Sequence, residues 1–209
     1  MKLLVFRAIF AVALMFSFST ANAYYSTMDT GKIVPTGKYR AIVGPQFITT
    51  GGNEGTNLSG RFDAGIGEST TMRGLIGVGE DEFLYGGLFA KWIPYPDFEN
   101  QPALGFIFGG TYAREEVADE TEDVLSLRFA PLVSKEFETD IGVLTPYASL
   151  PISVAFVDGD TIYPVQLAGG TEFKPYNWEN VSFMGEVGLK LNKAFSYISL
   201  AVVFEFADD

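Results

Sequence analysis

From about residue 37 onward the chain alternates between apolar and polar positions. Leu58, Gly60, Phe62, Ala64 and Ile66 interleave with Ser59, Arg61, Asp63, Gly65 and Gly67, the period of two that sends neighbouring side chains to opposite faces of a β-strand. Val181, Phe183, Gly185, Val187, Leu189 and Leu191 repeat it against Ser182, Met184, Glu186, Gly188, Lys190 and Asn192. Leu125, Leu127, Phe129, Pro131 and Val133 oppose Ser126, Arg128, Ala130, Leu132 and Ser134 in the same way. The last segment sets Ile198, Leu200, Val202, Phe204 and Phe206 against Tyr197, Ser199, Ala201, Val203 and Glu205.

Clusters of Gly, Asp, Asn and Pro cut this pattern into about ten pieces. The predicted strands run over 37–49, 56–67, 70–80, 83–93, 102–114, 122–135, 141–156, 161–174, 180–192 and 194–206. Helix is disfavoured by 23 Gly and 10 Pro, several of them inside the apolar segments. Pro131, Pro146 and Pro151 each delete a ladder donor, so bulges or strand ends are expected there. The pattern predicts an all-β fold, a closed antiparallel up-and-down barrel of about ten strands, with eight as the smaller alternative. An even count puts both chain ends at one rim.

Alternation alone does not say which face points inward. A water-soluble barrel or sandwich buries its oily face, whereas a membrane barrel turns it to lipid. Here the polar face is rich in Gly, Ser and Thr with only isolated charges, as a narrow lumen requires. Tyr39, Phe47, Phe83, Tyr85, Trp92, Tyr95, Phe98, Phe173, Tyr176 and Trp178 gather near strand ends, as in an interfacial girdle. The expectation is a transmembrane barrel.

The N-terminus adds a destination. Lys2 and Arg7 precede or open the apolar run Ala8–Phe18, and Ala21-Asn22-Ala23 follows. The run is too short to span a bilayer and the small-x-small triplet is what a signal peptidase cuts. Residues 1–23 are expected to be a signal peptide and 24–209 a single barrel domain. Loss of Lys2 and Arg7 leaves 12 basic against 26 acidic residues, a net charge of −14, which argues against nucleic acid as a partner.

Candidate chemistry is sparse. The chain has no Cys and no His, so disulfides, thiolate or histidine metal sites, and Ser–His or Cys–His catalysis are all closed to it. Glu115-Glu116 and the Asp158/Asp160 pair read as solvated loop acids. The acidic run Arg114–Asp123 lacks the spacing of an EF-hand. No enzyme, metal or cofactor is expected. The nearest thing to a constellation is the row of lumen charges Arg61, Asp63, Arg73, Arg128, Glu186 and Lys190. If residues 68–69 close a hairpin, Asp63 and Arg73 stand diagonally across neighbouring strands and can pair. The row serves either as a network that plugs a narrow lumen or as charges guiding solutes through a pore.

With its signal peptide, its alternating segments and the terminal strand Ser199-Leu200-Ala201-Val202-Val203-Phe204-Glu205-Phe206, the mature chain resembles the small bacterial outer-membrane barrels of the OmpA/OmpX-like family. Ala207-Asp208-Asp209 follow where the family ends on the aromatic residue. The resemblance implies a setting of outer-membrane lipid and lipopolysaccharide, and outer-membrane assembly machinery as the partner that reads the last strand. Enzymes of that family lean on a His, which is missing here. Three roles stay open: a structural or surface-interaction barrel, a passive small-solute pore, and a soluble periplasmic barrel holding an apolar ligand.

Overall fold

The computed structural model describes residues 26–50, 55–79, 82–117, 120–157 and 159–207. The expected signal peptide lies outside them, as do Asp158 and the side chains of Phe83, Glu115 and Glu116.

The described residues form β1 (Lys38–Thr50), β2 (Gly55–Gly65), β3 (Thr70–Gly79), β4 (Glu82–Tyr95), β5 (Ala103–Val117), β6 (Glu120–Ser134), β7 (Phe137–Thr139), β8 (Gly142–Ser149), β9 (Ile152–Val157), β10 (Asp160–Ile162), β11 (Val165–Pro175), β12 (Val181–Asn192) and β13 (Ser196–Ala207). β8 and β9 are two halves of one stave, as are β10 and β11, and β7 is a short extension paired to β8. That makes ten antiparallel staves. The last returns to the first, with β13 paired to β1 from Lys38↔Ala207 to Thr50↔Ser196. Closure leaves no sheet edge, the condition for a β-structure in lipid.

The prolines explain the interruptions. Pro151 lies between β8 and β9, and Pro164 between β10 and β11. Pro131 sits inside β6, but it faces the break: pairing to β9 ends at Phe129↔Ile152 and pairing to β8 begins at Leu132↔Ser149. The gap is stitched by single bonds, Leu150 N to Pro131 O at 3.1 Å and Gln166 N to Pro151 O at 3.1 Å. Pro146 departs from expectation. It lies mid-strand opposite Thr171, tolerated because its other neighbour is only the lone Lys135 N, which donates to the Pro146 carbonyl.

The oily face points out. Leu88 is 67 % exposed while Lys91, three residues on, is 1 % exposed. Ile76, Leu58, Phe108, Leu127, Leu189 and Leu200 join the exposed belt, and Arg40, Asp63, Arg73, Glu172 and Glu186 are buried. A surface of this extent is untenable in water and is what a transmembrane barrel presents to acyl chains. The reading in which an apolar ligand fills an oily interior is overturned by this inversion.

The interior is packed through its middle and opens toward the rim of the chain ends. Ile42, Phe89, Ile93, Ile107, Leu132 and Val203 belong to one apolar layer, Tyr85, Val124 and Val157 to a second, and Ile48, Phe195 and Tyr197 to a third beneath the β12–β13 turn. Three tyrosines fill the lumen by lying over glycines directly opposite on the next strand: Tyr85 over Gly77, Tyr147 over Gly170 and Tyr197 over Gly188. A Cβ at Gly77 or Gly188 would come within 2.2 or 2.1 Å of the ring. Tyr85 is thus a lumen residue, 1 % exposed, and not the girdle aromatic its position near a strand end suggested. Phe47, Trp92, Tyr95, Phe98, Tyr176 and Trp178 do face outward.

Candidate functional site: a charged lumen closed by the N-terminal segment

Within the barrel, Asp63 of β2 and Arg73 of β3 stand directly opposite one another. Five residues, 66–70, lie inside the first matched pair, Gly65↔Thr71, which brings the two into register instead of the diagonal expected from a two-residue turn. The contact is bidentate, Arg73 Nε to Asp63 Oδ1 at 2.6 Å and Arg73 Nη2 to Asp63 Oδ2 at 2.7 Å, the geometry in which a guanidinium binds a carboxylate most strongly.

Of the other predicted lumen charges, Arg61, Arg128 and Glu186 are also buried inside the barrel, and the Arg128 guanidinium lies 5.8 Å from the Phe89 ring centroid. Lys190 is the exception. It has the inward parity of its strand but sits exposed near the β12–β13 turn, away from the network. The pattern missed Arg40, Lys91 and Glu172, all buried inside. Arg40 Nη2 meets Glu172 Oε2 at 2.8 Å and Ser182 Oγ donates to Glu172 Oε1 at 2.7 Å. Parity could have found them: Lys91 shares its face with Tyr85, Phe89 and Ile93, and these bulky neighbours disguise a lumen row as an apolar one.

The unexpected occupant is the stretch before β1. Residues 26–36 carry no strand of their own and descend through the lumen, leaving it where Thr36 bridges Gly65 at the rim that also holds the start of β1. Thr27, Met28, Asp29 and Thr30 are buried, so their backbone needs partners. Glu186 supplies them, accepting from Thr27 N at 2.9 Å, Met28 N at 2.6 Å and Ser26 Oγ at 3.0 Å, and also from Tyr197 OH at 2.6 Å. Arg61 donates to the carbonyls of Thr27 and Met28. Asp29 enters the Arg73–Asp63 pair from the segment's side, 2.8 Å from Arg73 Nη2 and 3.0 Å from Lys91 Nζ.

At the exit the charges thin out and become half-exposed. Glu205 of β13 lies 3.0 Å from Lys32 Nζ and 2.5 Å from Lys174 Nζ. Deeper in, the space left among Thr27, Arg61, Arg73, Phe89 and Arg128 amounts to about 20 Å³, room for a single water. This arrangement seals the lumen. Among the described residues, no group of three or more carboxylates has the geometry of a metal site.

Closed staves, an oily exterior and a packed polar interior define a transmembrane β-barrel. Among solved structures, the chain is similar to an outer-membrane channel of Pseudomonas putida F1 described as COG4313, at 9 % identity and a TM-score of 0.46 over 88 % of this chain and 100 % of that one. It is similar also to the translocator domain of the autotransporter NalP from Neisseria meningitidis, at 14 % identity and a TM-score of 0.46 over 98 % and 95 %. The attachment invasion locus protein Ail of Yersinia pestis aligns at 10 % identity and a TM-score of 0.29 over 82 % and 99 %. No family model and no curated protein sequence matches the chain. The likeness to OmpA/OmpX-like barrels is one of strand pattern, and the barrel assignment rests on this chain's own pairing.

Proposed function

We propose that this protein is exported by a signal peptide cleaved after Ala23, inserts in the bacterial outer membrane, and acts there without catalysis as a sealed structural or surface-interaction barrel. The observation that carries the reading is the filled lumen. A solute path would need a continuous aqueous track, whereas here tyrosine-on-glycine packing, buried ion pairs and residues 26–36 occupy the interior. Absence of His removes the usual acid–base residue. A surface role is supported by the β5–β6 hairpin: β6 pairs with β9 only from Val124, while its pairing with β5 continues to Val117↔Glu120. The hairpin therefore rises above its neighbour at the rim opposite the chain ends.

The test has two stages. Cell fractionation and gel mobility in SDS with and without boiling are expected to give outer-membrane recovery and a heat-dependent shift. Purified protein in planar bilayers is then expected to pass no channel current. A soluble protein without the shift would remove the membrane reading, and steady single-channel currents from the intact chain would replace the sealed barrel with a pore.

A further inference from the structure

The segment inside the barrel is held as a ligand is held. Lys91 Nζ has three protons, and its three hydrogen bonds all go to the segment: Asp29 Oδ1 at 3.0 Å, Thr30 O at 3.3 Å and Lys32 O at 2.8 Å. Both terminal nitrogens of Arg61 go to the segment's carbonyls, and Glu186 takes two consecutive backbone N–H groups from it. Wall residues from β2, β4 and β12 thus read the segment's main chain from both its donor and its acceptor sides, with Met28 left-handed where the two consecutive N–H groups meet Glu186, as peptide-binding sites do.

Two further contacts select sequence. Asp29 places one carboxylate oxygen on Arg73 and the other on Lys91. Gly31 donates its N–H to Ser134 Oγ at 2.7 Å. A Cβ at Gly31 would lie 2.4 Å from the Ala103 Cβ and 2.8 Å from Ser134 Oγ, so only glycine fits that approach. By contrast, the wall closes on itself without the segment: every stave has its two neighbours, and β1 pairs to β13 through its own residues.

We propose that the lumen is a peptide-binding site, specific for a chain that turns at Met28 with φ 36° and carries a carboxylate two residues before a glycine, and that its resident ligand is this protein's own Ser26–Lys32. The segment is a separable occupant of a preformed barrel. Direct attachment to β1 gives it a local concentration on the order of millimolar, so even a modest intrinsic affinity keeps the site filled. The proposal goes beyond the sealed-barrel reading and adds that the seal can be exchanged.

Pro35 and Thr36 are exposed at the exit, which gives access for the test. A protease site is inserted between Thr36 and Gly37 in the full chain, the protein is folded in detergent, and the chain is cut there. The freed segment is washed out in urea below the concentration that unfolds the barrel, as judged by the gel shift. Fluorescent peptide 26–36 is then titrated back and followed by anisotropy. The expected result is saturable binding with a Kd of about micromolar or tighter, weakened about tenfold or more in peptides carrying Asp29→Asn or Gly31→Ala. The proposal is overturned if the cut segment leaves only when the barrel itself unfolds, if the stripped barrel binds no peptide, or if it binds all three peptides alike. Channel current from the uncut chain would count against the sealed-barrel reading alone and leave this result intact.

Discussion

The same pair of residue types occurs twice in neighbouring-strand positions, with opposite consequences. Asp63 and Arg73 face each other inside the barrel, 0 % and 5 % exposed. Asp123 and Arg114 face each other across β5 and β6, 57 % and 54 % exposed, at 3.2 Å. The buried pair is bidentate and shared with Asp29, while the outer pair is met by Tyr112 OH and lies open to solvent. Desolvation makes the difference. An ion in the lumen cannot fall back on bulk water when its partner goes, whereas an ion at the rim can.

The comparison breaks most visibly at Asp63. Asp63→Ala leaves the Arg73 guanidinium buried with Asp29 as its remaining carboxylate, and the expected loss is about 3–5 kcal/mol, read as a lower midpoint in urea unfolding or in the boiling shift. If Asp63→Ala matched the wild type within error, the lumen would have to be wetter than its packing implies.

Glu186→Gln comes next. The carboxamide keeps one acceptor oxygen where the carboxylate uses two, against donors from Thr27, Met28, Ser26 and Tyr197. One buried donor is left short, at a cost of about 1–3 kcal/mol. The loss is expected to fall on the segment first, so hydrogen exchange at Thr27 and Met28 speeds up while exchange in β1 and β13 holds. Uniform acceleration across the wall would show the segment and barrel to be one cooperative unit.

A smaller effect is expected at the turn between β4 and β5. There desolvation raises the Asp97 carboxyl, but hydrogen bonds from Lys135 Nζ at 2.5 Å and Glu136 N at 2.7 Å together with the Lys135 charge outweigh it and hold the group below its ordinary value. A carboxyl depressed in the folded state contributes fully above its unfolded value, about 3.9, and loses that contribution as pH falls through the lower folded value. Protection of the Glu136 amide is therefore expected to be steady at pH 5 and to decline only below about 4. A decline centred near neutral pH would contradict the assignment. The smallest effect belongs to Arg114→Ala, for which no measurable shift in the unfolding midpoint is expected.

Much of the wall was legible because strand periodicity is local. Each of the ten predicted segments coincides with a stave to within a few residues, and the inward row containing Arg61, Asp63, Arg128 and Glu186 followed from parity alone. The site was less legible. As read from the pattern, that row held four cations against two carboxylates, Lys190 included. Asp29 adds a carboxylate at Arg73, while Glu172 pairs with Arg40, a cation the pattern also missed. Nothing in Ser26-Thr27-Met28-Asp29-Thr30-Gly31-Lys32 marks it as a lumen segment, because it has no periodicity and its partners lie as far away as Glu186.

By itself, then, the chain determined where about ten strand segments lie and which face of each is oily, since turn residues and side chains two apart are local features. It also determined that the barrel must turn its charges away from lipid. Tertiary structure decided what those charges are for. Asp29 reaches Arg73 and Lys91 only after the barrel has closed around the segment. The Tyr85 ring finds its room in the lumen over Gly77 of the next strand. Such matches join residues distant along the chain, and without closure the wall carbonyls, guanidinium groups and carboxylates would be solvated separately, with no reason to meet.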